Sequence, residues 1–127
     1  MRNISFMFTT KQVRARKKTV TRRVGWRNLK PGALLRGVEK GMGLKVGEKV
    51  VTLAVIRVLS VRMEKLSRMI DDPAYGFGEC EREGFGDHSS LRLPSAFVDY
   101  FCASHRGCSK DSEITRVEFE YVDAESG

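Results

Sequence analysis

Ten Lys and Arg residues crowd into positions 1–30 with no acid among them. Fixed cations at that density suit phosphate oxygens, so Lys17, Lys18, Arg22, Arg23 and Arg27 are candidate nucleic-acid contacts, with Lys18 and Arg23 the pair best placed for an anion or a base. Trp26 is the lone tryptophan, set between Arg23 and Arg27. An indole there either stacks a base or packs at the rim of a core. Lys45 lies in GVEKGMGLKVG, whose glycines suit a hairpin tip with lysines turned to a nucleic-acid backbone. That stretch lacks the strand, glycine turn and helix order of a phosphate cradle, and it has no Gly-Lys-Ser/Thr ending. Cys102, His105 and Cys108 are spaced C-x2-H-x2-C, with Cys80 or His88 available as a fourth zinc ligand. No paired CxxC supports that set, and Cys102 falls on an apolar helical stripe. The reading is therefore structural cysteine, with no metal and no cofactor.

These candidates sit in a chain of 127 residues, enough for one domain with a core of its own. Net charge is +7, spread as +10 over residues 1–30, +5 over 31–70 and −8 over 71–127. The split favours a polyanion on one face, and nucleic acid is its first candidate. A membrane partner is disfavoured, because the basic segment offers no long amphipathic helix. VVTLAVIRVLSV is too short to cross a bilayer and is interrupted by Arg57. ISFMF is too short for a signal segment, and three cysteines without one fit a reducing cytoplasm.

Positioning falls to strands around a few helices. NISFMF places Ile4, Phe6 and Phe8 on one face at period two, the pattern of a half-buried strand. Thr9 or Thr10 then caps a short helix through residues 10–17, and KTVTRR reads as a second strand. Pro31-Gly32 marks a turn before a third. Residues 50–62 read as a central strand, apolar on both faces. Residues 71–90 read as loop with a short helix between. Pro94 opens a helix carrying Phe97 and Phe101 four apart, and Val98, Cys102 and His105 on an apolar stripe. The last strand directs Thr115, Val117, Phe119 and Tyr121 one way and Arg116, Glu118 and Glu120 the other. The expectation is one α+β domain over residues 1–127, ordered from about 3 to 122. It is a small mixed β-barrel of about five or six strands flanked by two or three helices.

The order of motifs resembles the ASCH family of the PUA-like superfamily. Lys18, Thr19, Thr21 and Arg23 match its Lys-Thr-x-Thr-x-Arg core. The Pro-Gly turn, the long central strand, Glu83-Gly84-Phe85, the F-x-x-x-F helix and ITRVEFEYV follow in order across residues 3–122. Many relatives have a glycine where this chain has Arg16-Lys17, which makes the entrance to the cleft more basic. The resemblance implies a PUA-like barrel that binds RNA or a modified nucleobase. It also implies an alternative, an amidohydrolase that removes the acyl group of N4-acetylcytidine, with Lys18, Thr21 and Glu83 as its catalytic residues. The chemistry is workable: Thr21 serves as nucleophile if Lys18 is neutral, and Glu83 orients the lysine or relays protons. Residues three apart on an unbroken strand point to opposite faces, so Lys18 and Thr21 converge only if the chain bends between them.

Overall fold

The computed structural model describes residues 1–41 and 43–123. Its framework is one five-stranded sheet: β1 (Arg2–Ser5), β2 (Val20–Arg23), β3 (Leu34–Val38), β4 (Thr52–Lys65) and β5 (Glu113–Val122). They are ordered β1-β3-β4-β5-β2. β1 runs parallel to β3 and every other pair is antiparallel, so the sheet is mixed and curls into a half-barrel. The α+β barrel expectation holds. The helices are α1 (Thr10–Arg14), α2 (Arg68–Asp71), α3 (Pro73–Cys80) and α4 (Pro94–Ser104), with a π-type turn over Glu81–Phe85 continuing α3.

β4 takes the central place its apolar run predicts, but one face is partly open: Leu59 is exposed where a bulge shifts its register with β5. Inside the curl, Ile4, Phe6, Leu35, Ile56, Val58, Val117 and Phe119 form one core. Leu66, Met69, Cys80, Phe85, Phe97, Val98, Phe101 and Ile114 form a second between the sheet and the later helices. The seam between these two cores positions the site.

Three expectations are corrected. The period-two face of the first strand ends at Phe6, because the chain leaves the sheet after Ser5, and Phe8 is 68% exposed. Thr9 precedes α1 without a side-chain cap bond; Thr10 Oγ1 instead donates to Phe6 O at 3.0 Å. Of residues 71–90, read as loop with a short helix between, Pro73–Cys80 is helix and the π-type turn extends it to Phe85. Asp72 caps α3 by accepting from Tyr75 N, and Pro73 occupies the first turn, where its missing N–H costs nothing. Arg116 keeps the face that alternation assigns it, and that face is covered by α3.

Candidate functional site

The bend that Lys18 and Thr21 require exists. α1 ends in a turn where Arg16 takes the left-handed conformation (φ 56°), with Arg16 N donating to Val13 O and Lys17 N to Gln12 O. This is the helix-ending motif that glycine ordinarily fills. β2 begins only at Val20, so Lys18 lies before the strand and escapes its alternation. Residues 18–19 are tied on both sides: Thr19 N donates to Arg82 O at 2.8 Å, and Tyr121 Oη to Lys18 O at 2.5 Å. Lys18 Nζ is thereby delivered to Glu83, 2.7 Å from Oε1 and 2.9 Å from its carbonyl oxygen. Both residues are buried. Burial pulls the Lys18 ammonium below its ordinary pKa, with Arg22 and Arg23 pulling the same way and Glu83 opposing.

Glu83 stands in the π-type turn, whose backbone is broken by Gly84 at φ 100°. A β-carbon there would lie 2.8 Å from Gln12 Cβ, so α1 and the turn approach more closely than a side chain permits. Wide turns of this kind direct a side chain away from the regular helical row.

Behind the pair lies an interior charge network. Arg22 Nη1 donates to Glu83 Oε2 at 3.2 Å, and Nη2 to Glu64 at 2.7 Å and Glu79 at 2.6 Å. Arg22 and Arg116 are direct cross-strand partners, and Arg116 donates twice to Glu79. Tyr75 Oη closes the cluster against Glu64. Burial pushes the Glu79 carboxyl up, but Arg116 and Arg22 overcome it and hold the pKa at about 2.

Arg23 has the opposite surroundings. Its Nη2 donates to Ser5 O at 2.6 Å and its Nε to Thr21 Oγ1 at 3.0 Å, so one side chain bridges the two edge strands, β1 and β2. Burial lowers its pKa to about 10, against the pull of Glu83. At this seam opens a cavity of about 210 Å³, lined by Lys18, Thr21, Arg22, Arg23 and Glu83 together with rings including Phe6, Phe97 and Tyr100. Drug-sized sites run to about 300–1,000 Å³, so this one suits a single small ring. His105 also lines it; its Nδ1 sits 2.8 Å from Phe101 O, which fixes the proton on Nδ1 and leaves Nε2 as the acceptor in the neutral ring.

Searches by sequence add little here. No family model matches the chain, and no curated protein does. A solved fold does. The chain is similar to protein EF3133 from Enterococcus faecalis V583, described as a DUF984 protein, with a TM-score of 0.54 at 17% identity. The match covers 94% of this chain and 73% of that one. At that identity the likeness concerns the fold alone.

The structure thus gathers Lys18, Thr21, Arg22, Arg23 and Glu83 at one cavity and leaves Lys17, Trp26, Arg27 and Lys45 outside its lining. Arg22 is enclosed by three carboxylates with no side-chain exposure, so it offers nothing to an outside phosphate. Trp26 packs on the first core, and Arg2 covers its ring at 3.8 Å, so the rim reading applies rather than the stacking one. Lys17 is exposed and paired with Asp87; Arg27 and Lys45 are exposed on loops away from the cavity lining. Cys102 and Cys108 lie 4.0 Å apart at the end of α4, and His105 stacks on Phe101 rather than joining them. Among the described residues no three-ligand metal cluster forms, and no helix is long and apolar enough to cross a membrane. Sequence reasoning missed the aromatic wall as a site feature and missed Glu64, Glu79 and Tyr75 altogether. The spacing Phe97, Phe101, His105 was the available signal for the wall.

Proposed function

We propose that this chain is an ASCH-type amidohydrolase that takes an N4-acylated cytidine into the seam cavity and releases the acyl group. The observation that carries the reading is the convergence of Lys18, Glu83 and Thr21 on a ring-sized cavity walled by aromatic residues. Lys18 with a lowered pKa accepts the Thr21 hydroxyl proton as Thr21 Oγ1 adds to the acyl carbonyl carbon. The Arg23 guanidinium, already bonded to Thr21, steadies the resulting oxyanion. Collapse breaks the C–N bond, and Lys18 returns its proton to the departing N4 amine. Water then cleaves the threonyl ester by the same exchange in reverse. Glu83, fixed by Arg22, holds the lysine in place.

The test is chromatographic release of cytidine from N4-acetylcytidine. Lys18→Ala and Thr21→Ala are expected to lose about 100- to 10,000-fold in kcat/KM while remaining folded. Thr21→Ser retains measurable turnover. For the wild type, kcat/KM rises with pH as Lys18 loses its proton, and the rise comes below the ordinary lysine range. Saturable binding of the nucleoside with no turnover would instead make this a nucleobase-binding module.

A further inference from the structure

A second hollow, of about 430 Å³, adjoins the first and shares Met7, Phe8, Phe85 and Tyr100 with it. We propose that it seats the nucleotide next to the acylated cytidine, so that the substrate is a modified base within a single strand rather than a free nucleoside; this rests on the reading above. Phe8 carries the argument first. Alternation along NISFMF assigns it to the core with Ile4 and Phe6, yet the chain turns it outward, 68% exposed, beside Met7 at 49%. It stands edge-on to Tyr100, with ring centroids 6.3 Å apart, between the two hollows. An exposed ring beside a base-sized cavity is a stacking platform, and every base has a face to offer it.

The second hollow also carries polar groups, as a phosphodiester requires. Lys11 and His88 line it and do not line the first. Nearby Arg14, Arg16 and Lys17 are each held by a carboxylate, whereas Lys11 joins no ion pair among the described residues. His88 Nδ1 accepts from Ser90 N and Leu91 N at 3.2 and 3.0 Å, which places the neutral ring's proton on Nε2 as a donor. A ring to stack on and donors beyond it match one nucleotide. A long acyl chain would use the rings and leave the donors idle.

The experiment compares kcat/KM for N4-acetylcytidine with that for dinucleotides carrying the same base, linked through either its 3′ or its 5′ oxygen, in wild type, Phe8→Ala and Lys11→Ala. Wild type is expected to favour one dinucleotide by about tenfold or more. Both variants bring the ratio toward one. Lys11→Ala, exposed and outside the first cavity, keeps wild-type turnover of the nucleoside. Equal kcat/KM for nucleoside and both dinucleotides in the wild type overturns the subsite. Calorimetric binding of the same compounds separates this from failure of the enzymatic reading. Tighter dinucleotide binding, lost in both variants, sustains the subsite without turnover, and no such difference overturns it.

Discussion

Arg22 keeps its charge where water does not reach, and its stability is therefore collective. Arg22→Met removes the one cation that Glu64, Glu79 and Glu83 share, leaves each with its other cations alone, and is expected to cost about 3–5 kcal/mol in denaturant unfolding. Lys18→Met costs clearly less, because Glu83 keeps Arg22. Glu79 gives the pH dependence. Its carboxyl titrates near 2 in the fold against an ordinary 4.5, so the unfolded chain binds the proton more readily. Its stabilisation is full above 4.5 and is lost as pH falls from there toward 2. Glu79→Gln flattens that part of a pH–melting profile. Alternation along VTRR did place Arg22 and Arg23 on opposite faces. Which face was covered was not legible, because the covering helix, α3, read as a loop.

At the scale of elements, α3 was hidden by its own punctuation. Pro73, Gly76, Gly78, Gly84 and Gly86 look like breakers, yet the proline starts the helix and Gly76 allows its close approach to Met69. Only Gly84 interrupts the helical backbone, and it does so where Glu83 must turn inward. Gly84→Ala meets both a left-handed φ and the Gln12 side chain. It is expected to cost about 1–3 kcal/mol in thermal unfolding and to reduce turnover by displacing Glu83. The turn after α1 predicts the opposite sign. Arg16→Gly removes left-handed strain of about 1–2 kcal/mol and gives up an exposed pair with Asp123 worth about 0–1, so the variant should melt slightly higher. β5 and α4 were readable because clean alternation and Pro94 at the first turn are local signals.

For the whole molecule, the uneven charge of the sequence is answered partly from within. Lys18 and Arg22 in the basic first thirty residues meet Glu79 and Glu83 in the acidic segment after residue 70, and Arg16 and Lys17 meet Asp123 and Asp87. Charge counted by segment therefore overstates the basic face offered to a partner. Oligonucleotide affinity should fall with salt at a log–log slope of about −1, the value for one or two phosphates. A slope of about −4 or steeper would mean a phosphate track along the outer lysines and arginines. The sheet order carries a last consequence, for the timing of synthesis. β2, which bears Thr21 and Arg23, has β5 as its neighbour in the sheet, almost a hundred residues later in the chain. Lys18 can meet Glu83 sooner, but Thr21 and Arg23 leave the ribosome long before their strand partners and wait until residues 113–122 emerge. The cavity's residues are thus made well before the strand that completes their sheet, and a growing chain has no assembled cavity until β5 has emerged.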